Sequence, residues 1–181
     1  MLIIVAGLAA IVLLWEHDDA DDRGTAPLAE AGMERFAPVP APVPAPKISF
    51  EDGERTRLTL EDFHGRVVVL NFWATWCAPC VRELPSLDRL QKRLKKKGVK
   101  VVALSLDRGG PEAVREFFAD NGIDHLDVYV DATMAAQAVF KIPGLPTTIL
   151  IDREGRERGR LVGPADWAGK EPAELVLEAT E

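Results

Sequence analysis

The chain has 181 residues, room for one domain and an appendage, and its 47% hydrophobic content is that of a globular protein. A net charge of −7 excludes a nucleic-acid surface, which needs a basic excess. Two cysteines, Cys77 and Cys80, are too few for a disulfide scaffold, and three scattered histidines (His17, His64, His125) lack the spacing of a four-ligand zinc site. Covalent c-type haem is excluded too, because Val81 follows Cys80 where that attachment needs histidine. No metal and no cofactor is expected.

The N-terminus is apolar from Leu2 to Trp15 and turns acidic at once, with Glu16, Asp18, Asp19, Asp21 and Asp22. As a helix this run would be roughly 21 Å long, short of the ~30 Å hydrocarbon core. It reads as a membrane anchor or a signal segment (residues 1–15). An Ala-x-Ala cleavage pattern is missing, which favours an uncleaved anchor, although no basic residue precedes the run. The acidic flank fits export of the downstream chain, because the cytoplasmic side prefers Lys and Arg. Residues 16–46 read as a linker: polar and acidic to residue 36, then alternating Ala-Pro-Val-Pro over 37–46. Alternating proline predicts polyproline II, a semi-rigid spacer of roughly 31 Å that lifts a domain off the membrane.

From Lys47 to the end the pattern is globular. Ile48–Phe50 and Arg57–Leu60 flank a turn and predict a hairpin. Val67–Phe72 is a continuous apolar run, the pattern of a strand covered on both faces. The cysteines come next, and then Val81, Leu84, Leu87, Leu90 and Leu94 fall on one helical face that closes with Lys95–Lys97 and Gly98. Val99–Leu106 is a second buried strand, Pro111–Asn121 a helix, Asp127–Val130 a short strand and Thr133–Phe140 a short helix. Thr147–Ile151 and Arg156–Val162 form a second hairpin about a turn at Asp152–Gly155, and Pro172–Ala179 closes the chain as a helix. This order predicts an α/β domain with a central mixed sheet flanked by helices and an N-terminal hairpin.

Cys77-Ala78-Pro79-Cys80 stands where the buried strand passes into the helix. A strand-to-helix turn lets two cysteines at this spacing bridge. It also puts Cys77 at the helix N-terminus, where free N–H groups and the dipole favour a thiolate. Cys77 is therefore the expected attacking sulfur, and Cys80, one turn inside, the resolving one. An inert structural disulfide is the competing reading, but so small a loop adds little stability. Trp76 can shield the sulfur and offer a docking surface, and Pro79 stiffens the first turn. Glu83 lies one turn after Cys80, either as the group that exchanges the Cys80 proton or as a solvent-facing helix glutamate. Pro146, after Gly144-Leu145 and just before a buried strand, is a candidate cis-proline whose flanking backbone can pair with an extended peptide. Leu145 and Thr147 beside it are, with Trp76 and Pro79, the candidate substrate-contacting residues.

Asn71-Phe72-Trp73-Ala74-Thr75-Trp76-Cys77-Ala78-Pro79-Cys80 followed by Glu83-Leu84-Pro85, the strand Gly144–Asp152 and the lead-in Leu60–Arg66 together resemble the TlpA/ResA group of thioredoxin-like proteins. The resemblance spans about residues 47–181. It implies a thioredoxin-like fold in an exported, membrane-tethered domain that reduces selected protein disulfides. It further implies Cys77 as nucleophile, Cys80 as resolving thiol, Pro146 as the cis-proline beside them, and Glu83 as the acid that tunes the thiols. Asn71 stands where thioredoxins proper carry a buried acid. The Leu145–Thr148 loop departs from the DsbE/CcmG pattern, which has a glutamate after the proline, so apocytochrome c is one candidate substrate beside metal-site assembly proteins. The expected electron donor is a membrane thiol transporter of CcdA/DsbD type. A DsbA-type oxidase lacks its helical insertion here, a peroxidase lacks its upstream threonine, and a Cu(I) chaperone rests on the two thiols alone.

Overall fold

The computed structural model describes residues 32–180. The apolar segment 1–15 and the acidic residues 16–31 lie outside the described residues. No helix among the described residues is long and apolar enough to cross a membrane.

The strands and α-helices in chain order are β1 (Ala37–Pro44), β2 (Ser49–Asp52), β3 (Arg57–Thr59), β4 (Val67–Trp73), α1 (Ala78–Leu94), β5 (Val99–Ser105), α2 (Gly110–Asp120), β6 (Tyr129–Val130), α3 (Ala135–Val139), β7 (Thr147–Ile151), β8 (Arg156–Val162) and α4 (Lys170–Glu178). They build one mixed sheet of order β1-β8-β7-β4-β5-β6-β2-β3. Strands β4, β5 and β6 run parallel, and β7 and β8 continue the sheet antiparallel on the far side of β4. The hairpin β2–β3 is attached through β6.

β4 shows why the run Val67–Trp73 had to be central. All seven residues are buried, and the alternation of a strand divides them between two cores. Val67, Val69 and Trp73 join Leu84, Leu87, Leu90 and Leu94 of α1, with Val101, Val114, Phe118 and Val176. Val68, Leu70 and Phe72 join Phe50, Phe63, Leu104, Tyr129, Phe140 and Ile149 on the opposite face. Truncating one of the α1 leucines to alanine is expected to cost about 2–5 kcal/mol. Trp73 belongs to this core, stacked on Phe118 with ring centroids 5.6 Å apart. Gln91 of α1 ties the helix to the sheet, accepting from the Val101 N–H (2.7 Å) and donating to the Val99 carbonyl (3.5 Å).

The spacer expected over residues 37–46 is not free. Ala37–Pro44 lies antiparallel along β8, paired at Ala37–Arg160, Pro38–Gly159, Val43–Glu157 and Pro44–Arg156, with an irregularity between. Polyproline II and extended strand are neighbouring backbone conformations, and an edge strand tolerates prolines because only one side of it needs donors. Gly159 admits the approach: a Cβ there would stand 2.5 Å from the Phe36 ring and 2.8 Å from the Ala37 carbonyl oxygen. Upstream, Met33–Arg35 forms a short 3-10 turn whose Met33 is 3% exposed and packs in the same core as both cysteines. The folded unit thus begins well before Lys47, and residues 33–36 are not the loose linker expected there.

Candidate active site

β4 ends at Trp73, and the loop Ala74–Cys77 turns directly into α1. Cys77 occupies the N-cap position and accepts the Cys80 N–H on its sulfur at 3.4 Å. Pro79 sits in the first turn, where its missing N–H removes nothing from the helix ladder. No acidic residue lies in that turn to oppose a thiolate. Cys77 and Cys80 are joined as a disulfide, with Cα atoms 5.3 Å apart. Cys77 is the more accessible of the two, 6% against 1%. Beside it Trp76 is 66% exposed, the largest exposed aromatic among the described residues.

Pro146 arrives from the other side of the same strand. β7 pairs with β4 so that Thr147 faces Phe72 and Thr148 faces Asn71. Pro146 therefore lies at the end of the sheet from which the cysteine loop departs. The Leu145–Pro146 peptide is cis, and the Pro146 carbonyl accepts the Gly163 N–H at 2.9 Å. Leu145 is half-buried against the core that contains both cysteines. Thr147 differs from its expected role: its side chain is fully buried and its hydroxyl donates to the Gly144 carbonyl at 2.7 Å. It shapes the turn before Pro146 and offers a substrate no side-chain contact.

Glu83 is not a solvent-facing residue. It is 3% exposed on the inner face of α1, one turn after Cys80. Its Oε1 accepts the Trp167 indole N–H at 2.5 Å and the Ala165 N–H at 3.4 Å. Its Oε2 is buried without a partner. Burial pushes the Glu83 carboxyl up to about 7, with the Trp167 and Ala165 hydrogen bonds, the Asn71 amide and the Arg35 charge pulling the other way. The Asn71 amide makes its own hydrogen bond to Thr148 Oγ1 at 2.9 Å. A carboxyl poised near neutrality one helical turn after Cys80 is placed to accept and return a proton at physiological pH.

A second buried acid escaped the sequence reading. Asp107, just past the end of β5, accepts the Thr75 N–H (2.9 Å), the Thr75 hydroxyl (2.7 Å) and the Ser105 hydroxyl (2.7 Å). It thereby ties down the loop between Trp73 and Cys77. Its placement at the carboxyl end of a parallel strand, next to the strand that leads into the cysteine loop, was the available signal. Among the described residues no cluster of three or more His, Cys, Asp or Glu side chains forms a metal site.

This arrangement has known counterparts. The Redoxin family model matches residues 40–176. The thiol-disulfide oxidoreductase ResA of Bacillus thuringiensis (strain Al Hakam) is 34% identical over 119 residues, 66% of this chain and 68% of ResA. ResA of Geobacillus kaustophilus (strain HTA426) is 33% identical over 135 residues, 75% of each chain. Among solved structures, a thioredoxin-family thiol:disulfide interchange protein from Chlorobium tepidum TLS superposes with a TM-score of 0.62 at 27% identity, covering 77% of this chain and 99% of that one. The chain belongs to the Redoxin family and is a ResA-like thiol–disulfide oxidoreductase with a thioredoxin-like fold.

Proposed function

We propose that the protein is a reductase of selected protein disulfides, tethered by its N-terminal segment on the outer side of the cytoplasmic membrane. The observation that carries this reading is the buried Glu83 carboxyl one turn after Cys80. A strong dithiol oxidant such as DsbA owes its potential to a stabilised reduced form whose thiolate has a very low pKa. An acid beside the pair works in the opposite direction, because its negative form disfavours a second negative charge nearby.

In the forward reaction the Cys77 thiolate attacks one sulfur of the substrate disulfide. A Cys77–substrate mixed disulfide forms and the other substrate sulfur leaves as a thiolate, which takes a proton. Cys80 then gives its proton to Glu83, and its thiolate attacks the Cys77 sulfur. The Cys77–Cys80 disulfide forms and the second substrate sulfur leaves, taking the proton back through Glu83. Two electrons have passed from the dithiol to the substrate. Trp76 and the backbone around Leu145 and Pro146 frame the surface on which the substrate chain lies, with Pro79 at its edge.

Apocytochrome c and metal-site assembly proteins are the substrate classes that fit an exported reductase, and the resemblance to TlpA/ResA proteins supports them. An oxidised Cys77–Cys80 pair must be recharged by a dithiol, for which a membrane transporter of CcdA/DsbD type is the fitting donor. The test uses the full chain. The reduced protein should reduce the disulfides of insulin stoichiometrically, and Cys80→Ser should accumulate a mixed disulfide through Cys77. Failure to reduce a protein disulfide, together with ready oxidation of a reduced unfolded protein by the disulfide form, would reverse the assigned direction. Membrane placement predicts recovery in the membrane fraction with the domain open to external protease.

A further inference from the structure

We propose that Trp167 is a positioning residue for Glu83: its indole N–H holds Oε1 so that Oε2 remains unbonded as the atom that takes the Cys80 proton. The inference rests on the role given above to Glu83 and adds the group that sets it.

Trp167 lies in the loop between β8 and α4, far from the cysteines in sequence. It is 2% exposed. Three sets of contacts fix it. Its backbone N–H donates to the Ser86 hydroxyl oxygen at 3.1 Å, and Ser86 in turn donates to the Glu83 carbonyl at 2.7 Å. The loop after it is pinned by Arg93, which donates to the Ala168 and Gly169 carbonyls at 3.0 and 2.9 Å. The loop before it is pinned by Arg35, whose guanidinium donates to the Pro164 carbonyl. With the backbone held on both sides, the indole N–H meets the carboxylate at 2.5 Å.

A buried indole needs an acceptor, and a backbone carbonyl usually suffices. Here the acceptor is an acid whose second oxygen is buried and bare. A single strong donor on one oxygen selects which oxygen is free, and it favours the charged form. From the loop the Trp167 indole and the Ala165 N–H favour the charged carboxyl, from β4 the Asn71 amide does so as a further donor, and from the N-terminal turn Arg35 contributes a positive charge. From α1 itself comes Cys80, whose thiol is the proton source in the reduced protein.

Losing the indole donor should therefore make Glu83 harder to ionise and move the working range of the resolving step to higher pH. The experiment measures single-turnover disulfide reduction by the full chain across pH, for the wild type, Trp167→Phe, Glu83→Gln and the double variant. The expected result is an upward displacement of the pH midpoint by about one unit in Trp167→Phe, and no displacement when the same change is made in the Glu83→Gln background. Site-specific replacement of Trp167 by benzothienylalanine removes the N–H and keeps the shape, so the test stands if the phenylalanine variant folds poorly. A lower melting temperature with an unmoved midpoint would overturn the proposal, as would an equal displacement in both backgrounds. If Glu83→Gln itself leaves the wild-type midpoint in place, the role of Glu83 fails and this inference fails with it. If Glu83→Gln moves the midpoint and removal of the indole N–H does not, the inference about Trp167 alone fails.

Discussion

Glu83 and Asp107 are both buried acids that serve the same stretch of chain, and they have opposite surroundings. Asp107 accepts three hydrogen bonds, two of them from Thr75 in the loop that delivers Cys77. Glu83 has one oxygen held by Trp167 and one with no partner. Burial alone raises the cost of a carboxylate, and donors offset it. Where the donors surround the acid it becomes a fixed part of the framework. Where they are withheld from one oxygen, the acid is left near neutrality and free to move a proton. The contrast between the two acids in this molecule lies in the donors that reach each carboxyl.

That contrast can be tested in descending order of effect. Cys77→Ser should abolish protein-disulfide reduction outright, which sets the zero for the two acids. Glu83→Gln should leave the fold intact and slow the resolving step by about 10²-fold or more, the usual worth of a positioned proton-transfer group; rapid-quench trapping of the mixed disulfide measures it. The same variant should change how stability depends on pH. The folded-state value of Glu83, about 7, lies above its ordinary 4.5, so the folded protein holds this proton more tightly than the unfolded chain. Its stabilisation is complete below about pH 4.5 and is lost as pH rises through about 7, by about 3 kcal/mol in total. Urea titrations at about pH 4.5 and about pH 8 should find that loss in the wild type and miss it in Glu83→Gln.

Asp107→Ala should behave the other way. It strips the acceptor from the Thr75 and Ser105 groups and should cost about 3 kcal/mol of stability, measured by thermal unfolding, with activity falling only as the Thr75–Cys77 loop loosens. An Asp107 variant that kept full stability but lost proton transfer would erase the distinction drawn between the two acids. Met33→Ala is the smallest of the set, about 2–3 kcal/mol by chemical denaturation. It asks whether the N-terminal turn belongs to the folded core, and a change within error of zero would detach that turn from the core.

Much of the architecture was legible because its signals are local. The seven-residue apolar run of β4 and the leucine face of α1 declare a covered strand and a packed helix. The cysteine pair at their junction declares the chemistry, and Gly144-Leu145-Pro146 ahead of an apolar strand marks the turn that holds the cis peptide. What was misread or missed depends on partners far along the chain. Ala37–Pro44 carries a polyproline signature, and only the presence of β8 with Gly159 turns it into an edge strand. Thr147 looks like part of a peptide-facing loop until its hydroxyl is seen to close on Gly144. Spacing left Glu83 undecided between solvent and site because nothing nearby announces that Trp167 will cover it. Asp107 could be placed at the carboxyl end of β5, but its hold on Thr75 depends on the pairing of β5 with β4.

The most direct test of the central claim is the reduction potential of the Cys77–Cys80 couple in the full chain, equilibrated against glutathione or dithiothreitol buffers. The expected value is near that of thioredoxin, roughly −270 mV or below, as a reductase recharged by a membrane dithiol requires. A value near that of DsbA, roughly −120 mV, would contradict it and make the protein an oxidant.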